Sequence, residues 1–127
     1  MTILYIALGG MTGTLARFGI DRLIQGRPAT LVVNLTGSLV LGFIVHYVTR
    51  SGAASPALRS ALTIGFCGAY TTMSTFSYES LALIVQGQYG RAALYMAVTI
   101  IGCLGAVFGG MLLAERFVQI VALQPPR

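Results

Sequence analysis

The chain has 127 residues, 56% of them hydrophobic and 9% charged, with a mean hydropathy of +0.83; this is membrane-protein composition and excludes an ordinary soluble domain. Its basic residues are all arginine, and with one histidine and three acids the net charge is +5. So sparse a polar inventory holds no metal-ligand cluster, nucleophile triad or phosphate loop for an enzyme, and arginines scattered at helix ends suit anionic lipid headgroups better than nucleic acid.

Four apolar stretches, at about 3–20, 30–48, 60–86 and 92–114, are each long enough to cross a hydrocarbon core of ~30 Å. The expected fold is therefore all-α: one domain of four transmembrane helices joined by short loops. The first stretch, "MTILYIALGGMTGTLARFG", has no basic leader and no convincing cleavage site, so it reads as a retained helix. Gly9 and Gly13 give it a GxxxG pair suited to close helix contact. The second, with "VVNLTGSLVLG", sets Asn34 and Ser38 four residues apart on one face, and Ser38 forms a small-residue pair with Gly42. An amide in hydrocarbon needs partners or a ligand.

The third stretch carries "GFCGAYTTMSTFSY" where a membrane helix would carry leucine. It is too long for a straight span, and the polar density predicts a break. Gly65 and Gly68 permit unusual backbone angles, while the hydroxyls of Thr71, Thr72, Ser74 and Thr75 can bond the backbone groups set free. A discontinuous helix offers free carbonyls to a cation and free amides to an anion. Glu79, a turn or more beyond, is the one acid well inside a span, and so a candidate for a functional role, a cap or an arginine pair. In the fourth stretch Tyr95, Thr99 and Cys103 repeat at four-residue steps as a stripe of donors, and Gly105 and Gly109 form a second GxxxG. Cys67 and Cys103 both fall inside spans, where packing explains them better than a disulfide.

Sorting the arginines by side puts Arg50, Arg59, Arg116 and Arg127 with the termini and Arg17, Arg22, Arg27 and Arg91 opposite. A balanced count gives no strong orientation, which predicts insertion both ways and an antiparallel two-fold dimer. Because neutral donors dominate the interior, a small anion suits it better than a mobile cation, and the positive edge of the Phe76 ring adds to that preference.

At these residues the chain resembles the CrcB/Fluc family of fluoride channels, through "GGMTGTLARF", "VNLTGS" and above all "GFCGAYTTMSTFSYE". The resemblance implies a broken third helix and an antiparallel, dual-topology homodimer in the bacterial inner membrane, passively exporting fluoride through two pores. It implies that the backbone carbonyls of Gly68 and Thr71 hold a structural sodium ion that is not transported. It also implies a fluoride path along Asn34, Met73, Ser74, Thr75, Phe76, Tyr95, Thr99 and Cys103, with Arg17, Ser38, Thr72 and Glu79 in pore or structural roles. Met73 stands where the family has a phenylalanine, and Cys103 where a hydroxyl is common. The alternative is a small multidrug-type proton-coupled exporter, which would need an acid in the core of the first helix; a third reading is a non-transporting scaffold whose polar interior is interhelical glue.

Overall fold

The computed structural model describes residues 1–52 and 54–122; Arg127, one of the sorted arginines, lies outside them. Helix α1 spans Thr2–Ile24 and α2 spans Arg27–Ser51. Between them Gln25 and Gly26 both take positive φ, 58° and 71°, which reverses the chain in two residues. Pro28 fits the first turn of α2, where an amide would be unsatisfied anyway. Gly52, at φ 63°, ends α2 in the left-handed region with its N–H on the Val48 carbonyl.

The third span is built in pieces. Ser55 caps the short helix α3 (Pro56–Ser60) by accepting from the Leu58 N–H. The chain then widens into a π-helical segment, Ala61–Cys67, and tightens into a single α-turn, α4 (Gly68–Tyr70). Thr71 and Thr72 are extended, and α5 (Met73–Val85) follows. Gly87, at φ 72°, turns the chain into α6 (Tyr89–Ala122). Three helices, α1, α2 and α6, are long and apolar enough to cross a membrane, with mean hydropathies of 1.4, 1.8 and 2.2. With the broken span they make a four-crossing, multi-pass membrane protein. Helices α1, α2 and α6 outrun the apolar windows expected from sequence at both ends, because helical hydrogen bonding continues after the hydropathy has fallen, whereas the third stretch begins four residues early, at Pro56, and ends at Val85, one short of its window.

Small residues decide which helices touch. A Cβ on Gly9 or Gly13 would run into the carbonyls of Ala61 and Phe66, and one on Gly65 would lie 2.7 Å from the Ile6 carbonyl oxygen. The first GxxxG thus docks α1 on the π-helical segment. On the other side α2 packs along α6, with Gly42 against the Val107 backbone and Gly110 against the Leu39 carbonyl. The expected Gly105–Gly109 pair does not make this contact: Gly105 meets nothing within 4 Å, and Gly109 only the Leu39 Cδ1 at 3.6 Å. An aromatic cluster of Phe43, Tyr47 and Phe117 closes one end of the α2–α6 pair, with ring centroids 5.7–6.1 Å apart.

The break also differs from expectation in its cause. Gly68 keeps ordinary helical angles, φ −63° and ψ −35°, and Gly65 serves close approach to α1. Two threonines, and not the glycines, leave the helix.

Candidate functional site

Asn34 holds the break open. Its Nδ2 donates to the Thr72 carbonyl at 3.1 Å and its Oδ1 accepts from the Thr72 N–H at 2.7 Å, with both residues buried. One side chain on α2 therefore satisfies both backbone groups of the residue that leaves the helix, as buried backbone polar groups require. In a continuous helix the Thr72 N–H would bond the Gly68 carbonyl, so the break frees that carbonyl from its helical partner. The Thr71 carbonyl accepts from Arg17 Nη1 at 3.2 Å, and the Thr71 hydroxyl turns back to the Cys67 carbonyl at 3.0 Å. Arg17 is therefore a part-buried neighbour of the break.

Thr72 also starts the next helix. Its Oγ1 accepts from the Thr75 N–H at 3.2 Å and donates to Thr75 Oγ1 at 2.9 Å, with Ser74 Oγ 3.2 Å away. This is the local capping chemistry that threonine favours over mid-helix positions. Thr72, Ser74 and Thr75 are thereby engaged with one another at the N-terminus of α5.

Beside the break lies a cavity of about 310 Å³. From the expected site residues it gathers Asn34 and Ser38 of α2, Gly68 and Thr71 at the break, Met73 and Phe76 of α5, and Thr99 and Cys103 of α6. Cys67 also lines it, a position read from sequence as packing alone. No charged side chain is among the lining residues. Thr99 is 4% exposed, and its Oγ1 is buried with no hydrogen-bond partner among the described residues. Such an orphan costs about 1–3 kcal/mol unless something polar occupies the space it faces.

Phe76 is buried, and its ring lies against Tyr95, centroids 5.4 Å apart and planes at 51°. The Tyr95 hydroxyl donates to Glu79 Oε2 at 2.7 Å, which settles a partner for the intramembrane acid. Tyr95 lines a second cavity, of about 390 Å³, which Phe76 does not line. The four-residue stripe on α6 thus runs through both cavities, Thr99 and Cys103 in one and Tyr95 in the other. Met73 is 71% exposed at the rim of the first cavity, where its side chain leaves room for a neighbour from outside the chain.

Sequence reasoning missed two groupings. At the end of the bundle that holds the N-terminus, His46 Nε2 and Arg50 Nε meet Glu115 Oε2 at 2.8 and 3.2 Å, tying α2 to α6. At the opposite end Arg27 and Arg91 come together at the second cavity. Neither is visible as a local motif, since each joins residues more than sixty positions apart.

Comparison with known proteins agrees with the resemblance read from the sequence. A family model described as "CrcB-like protein, Camphor Resistance (CrcB)" matches residues 4–111. A protein of Methylococcus capsulatus named "Fluoride-specific ion channel FluC" is 39% identical over 131 residues, which cover 97% of this chain but 58% of that relative. Proteins of the same name are 40% identical in Methanococcus maripaludis, covering 91% of this chain and 97% of the relative, and 41% identical in Koribacter versatilis, covering 84% and 89%.

Proposed function

This chain belongs to the CrcB family, and from that premise we propose that it is a fluoride-selective channel, passively exporting the ion across a bacterial inner membrane. It is a member of an ion-channel family and not an enzyme. The observation that carries the fluoride reading is the buried, unpartnered hydroxyl of Thr99, a residue that lines a charge-free cavity together with Asn34 and Phe76. A small hard anion satisfies that hydroxyl. Asn34 retains a second amide hydrogen beyond the one given to Thr72, and the buried Phe76 ring presents a positive edge. Fixed donors in a narrow space replace the hydration shell of fluoride, while chloride is larger and a weaker acceptor.

The working unit is an antiparallel dimer with two pores. Two features support that reading. Once Arg17 is assigned to the break, the remaining arginines of the sequence divide three against four, Arg22, Arg27 and Arg91 against Arg50, Arg59, Arg116 and Arg127, a difference too small to orient the chain strongly. Met73, Gly105 and a large set of exposed apolar side chains also leave faces for a second copy or for lipid.

A structural sodium at the centre of that dimer fits the donors present. Gly68 is exposed on the chain surface and its carbonyl has lost its helical partner, so two copies would offer hard oxygen ligands of the type sodium prefers. The Thr71 carbonyl keeps a second lone pair beside its bond from Arg17. When bound, the ion would supply fixed positive potential near the anion paths.

The test is fluoride and chloride efflux from proteoliposomes holding the purified protein, prepared with and without sodium. The proposal expects electrogenic fluoride flux that chloride does not match, and weakened flux after sodium-free preparation. Equal fluxes of the two halides would overturn the selectivity reading, and indifference to sodium would overturn the structural ion.

A further inference from the structure

Four arginines lie towards the end of the bundle where α1 gives way to α2 and α5 to α6, and they divide into two kinds. Arg17 donates to the Thr71 carbonyl, and Arg22 lies over the Phe18 ring at 5.4 Å. Arg27 and Arg91 instead line the second cavity, with Pro28, Leu31, Leu83 and Tyr95. Among the described residues neither has a carboxylate within 4 Å; Arg91 Nη1 bonds only the neutral Gln88 Oε1, at 3.0 Å.

Backbone electrostatics act in the same direction. Arg27 begins α2, a helix of 25 residues, and Arg91 lies in the first turn of α6, a helix of 34. Neither helix has an acid in its first turn. The positive ends of two long dipoles and two guanidinium groups therefore converge on one cavity with largely apolar walls, against the single carboxylate of Glu79 on the Tyr95 hydroxyl, an arrangement that focuses net positive potential into the opening. Tyr95 also lines that cavity, its ring touches Phe76, and Phe76 lines the first cavity together with Thr99. The two cavities are thus linked through the aromatic pair, one ring lining each.

We infer that the Arg27–Arg91 cavity is an anion-capture mouth, which concentrates fluoride ahead of the narrow path and sets the rate of arrival at low ionic strength. This rests on the fluoride reading and adds to it two residues that specify rate and not selectivity. The arginines act at long range through charge, so their contribution is screened by salt, whereas that of a donor in contact with the ion is not.

The experiment compares wild type, Arg27→Gln, Arg91→Gln, the double variant and a double Lys variant, R27K/R91K, in phosphatidylcholine vesicles. Fluoride efflux is measured at about 20 mM and about 500 mM total salt, where the Debye lengths are roughly 20 Å and 4 Å. The double Gln variant is expected to lose about 3–10-fold in flux at low salt and less than about 1.5-fold at high salt, with the Lys variant near wild type at both. An equal loss at both ionic strengths would mean a structural role and overturn the inference. So would unchanged flux at low salt, the outcome if these side chains serve only lipid phosphates. Absence of fluoride flux in the wild type would instead overturn the channel reading itself.

Discussion

Replacing Asn34 with alanine removes a joint that no other described residue supplies. Two hydrogen bonds are lost, of 3.1 and 2.7 Å, and both ends of Thr72 are left without partners in a residue only 6% exposed. Each orphaned backbone group costs about 1–3 kcal/mol when water cannot reach it, so the upper bound for the pair is about 6 kcal/mol. The adjoining 310 Å³ cavity has room for several waters, and these can rehydrate one or both groups. The expected destabilisation is therefore towards the low end, about 2–3 kcal/mol, equivalent to a fall in Tm of roughly 8–12 °C for a chain of this size. Thermal unfolding of the detergent-solubilised protein, followed by tryptophan-free near-UV circular dichroism of its tyrosines, measures this directly. Fluoride efflux is expected to fall as well, because the Thr72 cap and the Gly68 carbonyl both depend on the same joint. A Tm within about 2 °C of wild type with flux intact would refute the claim that Asn34 holds the break.

Thr99→Val replaces an unpaired hydroxyl with an isosteric methyl, so stability is expected to be unchanged or higher while fluoride flux falls at least about 10-fold; unaltered flux would show that the hydroxyl does not meet the ion. Gly9→Leu and Gly13→Leu drive side chains into the Ala61 and Phe66 carbonyls and are expected to abolish folded protein on size-exclusion chromatography, whereas Gly10→Ala, with nothing within 4 Å, is expected to elute as wild type. Met73→Phe places an aromatic edge at the cavity rim from a position already 71% exposed in the chain, so Tm is expected to hold while fluoride flux rises about two- to threefold; a fall in flux would show that the thioether fits this pore better.

The spans were legible because hydropathy and length together leave few alternatives for so apolar a chain. The existence of the break was legible too, from hydroxyls crowded into hydrocarbon. Its position was not, because local propensity points to Gly65 and Gly68 while the decision is made by an amide on another helix. Only the pairing of Asn34 with Thr72 shows why the chain leaves the helix one turn later than the glycines suggest. The same limit explains the α6 glycines: Gly105–Gly109 has the expected spacing, but the rotation of α6 against α2 brings Gly110 to the contact instead. Asn34, Phe76, Thr99 and Cys103 were readable as polar or aromatic oddities of their helices. The capture mouth was not, since Arg27 and Arg91 look like ordinary helix-end arginines until the fold puts them around one opening.

The reach of the Asn34 joint also has a consequence for biosynthesis. Asn34 and Thr72 are 38 residues apart, so at about 5–20 residues per second the ribosome delivers the second partner about 2–8 s after the first. For that interval α2 resides at the insertion machinery with its amide unpaired, and the polar third segment arrives as the piece that relieves it. Insertion of the broken span is thereby coupled to the helix made before it, so a slow or paused ribosome between these two residues would prolong the time for which the Asn34 amide stands unpaired and open to membrane quality control.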